Sequence, residues 1–158
     1  MLSPATGPTD LHNRVDALVK RWLDERQSLI VLMMALGDDN RRQLDPTPLP
    51  ERLQSFCQVL MDYASAGHFE IYDELLAEAE AHGGRNLAEG QRLFQRLQPT
   101  LDAIIRFNDL YEDPEDEELL ANLPHELSEL GLVLENRFEL EDRMIALLHS
   151  PAGAGTPA

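Results

Sequence analysis

The strongest constraint on the fold is an apolar residue at every third or fourth position through four long stretches of the chain. These stretches cover about Leu11 to Leu36, Pro50 to Ala81, Leu87 to Tyr111, and residue 112 to near His149. Such spacing places apolar side chains on one face of a helix. Segments rich in Gly, Asp, Asn or Pro separate the stretches, the longest at 37–50. Because short and medium connections favour antiparallel neighbours, we predict an all-α fold, an antiparallel (up-down) four-helix bundle with additional short helical segments.

Proline and small residues predict interruptions within these helices. We expect a break or kink at 97–100 because Pro99 cannot donate a backbone hydrogen bond. Pro124 is expected to divide the fourth stretch into a short segment and a long helix, and the small residues at 65–67 predict a bend in the second stretch. We therefore expect a flexible N-terminus at 1–10, one helical bundle domain at 11–149, and a disordered tail at 150–158.

The chain is strongly acidic, with 13 Lys and Arg against 29 Asp and Glu, a formal net charge of −16. This charge repels nucleic acids and anionic membranes, and no apolar run approaches 18 residues. We therefore expect no direct nucleic-acid binding and no membrane association. Residues 112–142 hold 12 acidic residues and a single basic one, Arg137, which indicates either a solvated face or a docking surface for a basic protein. A single cysteine, Cys57, and the absence of a signal-peptide pattern favour a cytoplasmic protein.

The segment DYASAGHFEIYDELL, residues 62–76, carries apolar side chains on two opposite faces of its predicted helix. If Ile71 marks the inward face, a step of about 100° per residue places five residues on the outward face. These are Asp62, Ser65, Phe69, Tyr72 and Leu76. A helix that simply lines a core carries charges there, whereas aromatic side chains bordered by acids indicate a surface for a partner rich in Arg and Lys. Because an exposed apolar stripe can also pair with itself, weak self-association is a further expectation.

Two charged residues fall on core-facing positions of the helical patterns. Arg26 lies one turn after Trp22 in the first helix, and Glu141 lies in the last helix among apolar and small residues. Because an unpaired buried charge costs several kcal/mol, we predict that Arg26 and Glu141 meet as a structural ion pair. The alternative is a polar pocket that senses a ligand or a partner.

The sequence contains few residues suited to catalysis or metal binding. None of the five histidines follows a glutamate by three positions, as di-iron sites in bundles require, and one cysteine cannot form a Cys-rich zinc site. His68 is either a structural histidine or the phosphoryl acceptor of a four-helix phosphotransfer protein, although the acidic residues that follow it would repel a phosphoryl group. We expect no enzyme activity, no cofactor and no metal site, with phosphotransfer and a metal-dependent bundle enzyme as alternatives.

Three blocks of sequence resemble the Rsd/AlgQ family, bacterial regulators that bind the primary sigma factor of RNA polymerase. The blocks are VKRWLDERQSLI, FCQVLMDYASAGHFEIYDELL and ENRFELEDRMIALL, and the similarity runs from about Leu11 to His149. The resemblance implies an all-helical anti-sigma factor that binds the C-terminal region of the primary sigma factor, the helix–turn–helix that reads the promoter −35 element. Binding there would keep the sigma factor from the core polymerase and from promoter DNA.

The same resemblance implies a partner-binding surface formed by residues of all three blocks. By position these are Arg21, Trp22, Asp62, Tyr63, Ser65, His68, Phe69, Tyr72, Arg137 and Asp142. We expect direct contact with the sigma factor most strongly for Asp62, Phe69 and Tyr72. Arg26 and Glu141 lie in the same blocks, and for both we expect a structural role.

Overall fold

The structure is a computed structural model that describes residues 8–37, 46–114 and 116–149. Across these residues every regular element is helical, so the prediction of an all-α protein is confirmed. The elements are α1 (Pro8–Gly37), α2 (Leu49–Ala66), a π-helix (Gly67–Ile71), α3 (Tyr72–Ala81), α4 (Leu87–Tyr111), α5 (Glu117–Ala121) and α6 (Leu123–Leu148). In this described part, no helix combines the length and the apolar character that a membrane span requires.

The observed helix boundaries follow the expected ones closely. Helix α1 begins at Pro8, three residues before the expected start, and α2 begins at Leu49 with Pro50 in its first turn. Proline suits that position because the first backbone N–H groups of a helix have no partner within it. The predicted disordered tail at 150–158, most of the expected N-terminal segment and most of the loop at 37–50 lie outside the described residues.

The two internal prolines have different effects. The predicted break at Pro99 does not occur, because α4 continues as one helix from Leu87 to Tyr111. Pro99 lies on the exposed side of α4, where water can satisfy the carbonyl that loses its backbone donor. On the opposite side Leu97, Leu101 and Ile104 are buried, which holds the helix in place. Pro124 does divide its stretch as predicted: α5 ends at Ala121, and α6 follows with Pro124 in its first turn.

The core lies between the long helices. Helix α4 packs against α6 and α2, and α2 packs against α1, while the shorter α3 contacts α1, α4 and α6. Phe56 of α2 meets Phe107 of α4 edge to face, with ring centroids 5.9 Å apart. Burial of apolar side chains from every long helix supplies the main driving force for this arrangement.

The π-helix at Gly67–Ile71 begins where a bend was predicted. Residues expected on the inward face remain buried on both sides of it, among them Ala64, Ile71 and Leu75. Tyr72, expected on the outward face, is only 7% exposed and stacks on Phe94 of α4 with centroids 3.8 Å apart. The expectation that Tyr72 lies on the surface is wrong because Tyr72 follows Ile71 by one step of about 100°, at the edge of the inward face, where Phe94 covers it.

Gly67 is required by the close approach of α1 to the π-helix. A Cβ atom at this position would lie 2.4 Å from Cζ2 of Trp22, whose indole N–H donates to the Tyr63 carbonyl at 3.1 Å and so fixes the ring. We predict that Gly67→Ala lowers the free energy of unfolding by about 2 kcal/mol, measured by urea denaturation.

The matched control is Gly131→Ala in α6, where an added Cβ would meet only Met33 Cε at 3.5 Å. That substitution should raise the free energy of unfolding by about 0.5–1 kcal/mol, because alanine favours helix more than glycine does. Similar effects of the two substitutions would contradict the steric explanation.

Candidate functional site

The site is built on a buried ion pair within α6. Arg137 and Glu141, one helical turn apart, are 0% and 1% exposed, and Arg137 Nε donates to Glu141 Oε2 at 2.9 Å. The guanidinium also donates to Thr100 Oγ1 of α4 at 3.0 Å and to the Ala64 carbonyl of α2 at 3.5 Å. One buried cation therefore joins three helices, and each of its nitrogens has an acceptor.

The second oxygen of Glu141 faces α1 and α2. Glu141 Oε1 accepts hydrogen bonds from Arg26 Nη2 at 3.2 Å and from the Tyr63 hydroxyl. Arg26 Nε donates to the same hydroxyl at 2.9 Å, and Arg26 Nη1 donates to Asp142 Oδ1 at 2.7 Å. The predicted meeting of Arg26 and Glu141 is confirmed, and its structural role stays a prediction. We refer to Arg26, Tyr63, Arg137, Glu141 and Asp142 as the polar network.

Protonation in the polar network follows from burial and charge. Burial, reinforced by the neighbouring Glu141 carboxylate, raises the pKa of Tyr63, so its hydroxyl remains a hydrogen-bond donor. Burial acts to raise the pKa of Glu141, while Arg137, the Tyr63 hydroxyl and Arg26 act to lower it. A carboxylate between two guanidinium groups is compensated, whereas either partner alone would be a buried, unpaired charge.

Aromatic rings connect the polar network to the π-helix. Trp22 stacks on Tyr63 with ring centroids 4.9 Å apart, and the Arg26 guanidinium lies 4.7 Å from the centroid of the Phe138 ring. Trp22 also fills the space beside Gly67, at the start of the π-helix. Contacts with the buried Trp22 therefore hold the π-helix in its orientation.

The π-helix presents Phe69 to solvent. Phe69 is 69% exposed, and the exposed Asp62 and the half-buried Ser65 precede it on the same side of the helical segment. Glu70 beside it is also exposed. We call Asp62, Ser65, Phe69 and Glu70 the Phe69 surface. The expectation of an outward aromatic bordered by acids holds for Phe69 and not for Tyr72.

A groove adjoins this surface between α2 and α4. It encloses about 590 Å³ and is lined by Gln54, Cys57, Gln58, Met61, Asp62, Asn108, Glu112 and Asp113. Three carboxylates at its rim suit the side chains of Lys or Arg, and Asp62 belongs both to the groove and to the Phe69 surface. Burial, with a contribution from Glu112, raises the pKa of the Cys57 thiol to about 12, so Cys57 is a structural residue here. Sequence periodicity gave no sign of this groove, because its walls come from two helices distant in sequence.

The structure separates the ten sequence-predicted binding residues into two groups. Arg21, Asp62, Phe69 and Asp142 are exposed, and Ser65 and His68 are half-buried. Trp22, Tyr63, Tyr72 and Arg137 are buried. The expectation that Arg137 lies on the surface is wrong, because its side chain is buried and its charge is paired with Glu141 inside the core. Any contribution of the four buried residues to binding stays a prediction and would act by holding the surface in shape.

His68 lies at the junction of the π-helix and α4. Its ring centroid is 4.6 Å from that of Phe94 and 4.9 Å from that of Phe69. Within the described part of the chain, its buried Nδ1 atom has no hydrogen-bond partner. Burial, assisted by the charge of Arg137, lowers the pKa of His68, so the ring is neutral at neutral pH. The ring thus serves as an aromatic support for Phe69.

An exposed aromatic residue beside carboxylates is typical of a protein-binding surface. Comparison with known proteins gives the family. The chain belongs to the Rsd/AlgQ family, regulators of the RNA polymerase sigma(70) subunit, whose family model matches residues 1–149. The resemblance noted in the sequence is thereby confirmed.

Several relatives carry the name "Regulator of sigma D". The protein from Shigella dysenteriae serotype 1 is 34% identical over 160 residues, covering 100% of both chains. The one from Pectobacterium carotovorum is 34% identical over 151 residues, covering 94% of this chain and 99% of its own. The one from Yersinia enterocolitica is 32% identical over 130 residues, covering 81% and 78%. No solved structure matches the chain.

Removing the charge of Glu141 should destabilise the fold strongly. In Glu141→Gln the side chain keeps its shape, but Arg137 remains fully buried without a counter-charge. We predict a loss of about 3–5 kcal/mol in the free energy of unfolding, measured by guanidinium chloride denaturation.

Asp142→Asn serves as the control, because this neighbouring carboxylate also pairs with Arg26 but is exposed. Its loss should be below about 1 kcal/mol. Equal losses of unfolding free energy in the two variants would contradict the conclusion that burial makes the loss of the Glu141 charge costly.

Proposed function

We propose that this protein is an anti-sigma factor that binds the C-terminal, −35-recognising region of the primary sigma factor. Bound there, it competes with core RNA polymerase and promoter DNA for the sigma factor. Membership in a family of sigma(70) regulators supports the partner. The observation that carries the proposed site is the 69% exposure of Phe69 beside carboxylates.

Phe69 has the properties of an interface anchor. An aromatic side chain gains free energy when a partner covers it, and few interface residues supply most of the binding energy. The packing of Trp22 against Gly67 holds the π-helix in position, so little conformational entropy would be lost on binding. In this proposal Asp62 and Ser65 contact the sigma factor beside Phe69, with Arg21, His68 and Asp142 at the margin.

Charge supports a partner that normally binds DNA. A helix–turn–helix contacts DNA phosphates through Lys, Arg and backbone donors, so its DNA-binding face is basic. Asp62, Glu112 and Asp113 line one groove and offer that face a row of carboxylates. The net charge of −16 would attract the same face from a distance. Inhibition then follows from mass action, since sigma factor held here is not available to DNA.

We further propose that residues 11–149 form one antiparallel four-helix bundle domain, whose long members are α1, α2 continued by α3, α4 and α6. The contacts of α4 with α6 and α2, and of α1 with α2, support this arrangement. A cytoplasmic location and weak self-association through the Phe69 surface complete the proposal.

Phosphotransfer through His68 is less well supported. Nδ1 of His68 is buried, and Glu70, Asp73 and Glu74 follow it in the sequence. These carboxylates would repel an incoming phosphoryl group. We therefore propose only the anti-sigma function.

Phe69→Ala should weaken binding to the isolated C-terminal region of the primary sigma factor by at least about fivefold, or about 1 kcal/mol, because an interface anchor is lost. The measurement is isothermal titration calorimetry with the full-length protein. Leu132→Ala, which truncates another exposed apolar side chain on α6, is the matched control and should bind like the wild type. Equal affinities of Phe69→Ala and the wild type would remove the Phe69 surface from the interface.

Affinity should fall as salt increases, because the proposed interface pairs carboxylates with basic side chains. Raising ionic strength from about 0.05 M to about 0.5 M should weaken wild-type binding, and Asp62→Asn should reduce the slope of this dependence. The proportional effect of Phe69→Ala should persist at both salt concentrations. Binding that is indifferent to salt would contradict the electrostatic part of the proposal.

A further inference from the structure

A second polar cluster lies where the first turns of α1 meet α3 and the end of α6. His12 Nδ1 lies 2.8 Å from Glu78 Oε2, and His149 Nδ1 lies 2.5 Å from Glu78 Oε1. On its other side, His149 Nε2 lies 3.0 Å from Asp16 Oδ1. Glu78 is 0% exposed. We call these four residues the His12 cluster.

The His12 cluster contains a buried carboxylate whose hydrogen-bond partners are imidazoles. Glu78 is a fully buried carboxylate, and across residues 8–37, 46–114 and 116–149 no Lys or Arg forms a salt bridge with it. Its two oxygens meet only imidazole nitrogens among these contacts. The second carboxylate, Asp16, is shared with Lys20, whose Nζ lies 2.9 Å from Asp16 Oδ2. A buried carboxylate without a cation is costly, so either a proton within the cluster or a bound cation offsets this cost.

The arrangement is that of histidines prepared to bind a metal. Histidine ligands commonly donate the N–H of one ring nitrogen to a carboxylate and coordinate the ion with the other nitrogen. Glu78 engages Nδ1 of both His12 and His149, which leaves Nε2 of each ring for coordination. One potential ligand atom from each of His12, Asp16 and His149 lies within 4.8 Å of the others.

We propose that His12, Asp16 and His149 bind a divalent transition-metal ion, with zinc the best match, and that Glu78 orients both imidazoles. Two imidazoles and a carboxylate suit zinc, and three protein ligands leave the fourth tetrahedral position for water. Adjacent ligands at zinc distances lie about 3.3 Å apart, close to the 3.0 Å between His149 Nε2 and Asp16 Oδ1.

Ion binding requires a tilt of one ring. The rings of His12 and His149 are stacked, with centroids 4.4 Å apart and planes at 9°, whereas an ion lies near the plane of each ring that coordinates it. His149 directly follows Leu148, the last residue of α6, and its backbone has left helical geometry at φ −107° and ψ 87°. A tilt of its ring is a side-chain rotation, which the backbone hydrogen bond from His149 N–H to the Ile145 carbonyl at 2.8 Å does not oppose.

The ion would tie the start of α1 to the end of α6, stabilising the folded chain without contacting the Phe69 surface. The expectation of no metal site rested on the missing Glu-x-x-His pairs and on the single cysteine. Of the proposed ligands, His12 and Asp16 lie one turn apart in α1, whereas His149 comes from the other end of the domain, so no local pattern joins all three.

The test is calorimetric titration of the metal-free, full-length protein with zinc chloride. We expect one ion per chain in the wild type and a loss of at least about tenfold in affinity in both His12→Ala and His149→Ala. His125→Ala removes an exposed histidine on α6 outside the cluster and should bind like the wild type. The thermal midpoint of the wild type, but not of His149→Ala, should rise with zinc.

Asp16→Asn keeps the test decisive if a histidine variant does not fold, because Asp16 is partly exposed and its replacement spares the core. We expect weaker zinc binding in this variant, with an unchanged circular dichroism spectrum. Absence of stoichiometric binding by the wild type would overturn the proposal and leave a proton as the compensating charge. Binding unchanged in all three cluster variants would overturn it as well, by locating the ion elsewhere.

Discussion

The contact between Arg137 and Glu141 is the interaction on which the arrangement of the other helices depends. Both groups are fully buried, so each is tolerated only because the other is present. Arg137 extends the contact to α4 and α2, and the second oxygen of Glu141 extends it to α1 through Arg26. Apolar burial supplies most of the driving force for folding but is not directional, whereas these hydrogen bonds specify one register of the helices. Arg26 then carries the polar network outward to Asp142 at the surface.

From this network the structure leads to the proposed binding surface through a short series of contacts. Tyr63 donates to Glu141 and stacks on Trp22, and Trp22 occupies the space that Gly67 leaves open. The π-helix starts at that glycine and contains the exposed Phe69, and Tyr72, which follows it, stacks on Phe94. A series of direct contacts thus connects the buried charge pair to the exposed side chain of Phe69. Substitutions in the network would alter binding through the position of Phe69 as well as through stability.

The fold class, the helix limits, the division at Pro124 and the Arg26–Glu141 contact could all be predicted from the sequence, because each follows from helical periodicity or from one residue type. The burial of Tyr72 could not, since it depends on Phe94 of another helix. Arg137 does lie at a core-facing spacing, three residues after Leu134 and four before Glu141, but the resemblance assigned it to the surface, and the acceptors that allow its burial belong to two other helices. The groove and the His12 cluster were missed because each brings together residues distant in sequence.

The most direct test of the central claim is hydrogen–deuterium exchange of the protein alone and with the C-terminal region of the primary sigma factor. We predict that slowed exchange on binding centres on residues 62–70, with a smaller effect near Arg26 and Asp142, because the partner covers the Phe69 surface and tightens the polar network beneath it. Protection confined to other parts of the chain, such as 123–135, in a complex that demonstrably forms, would contradict it.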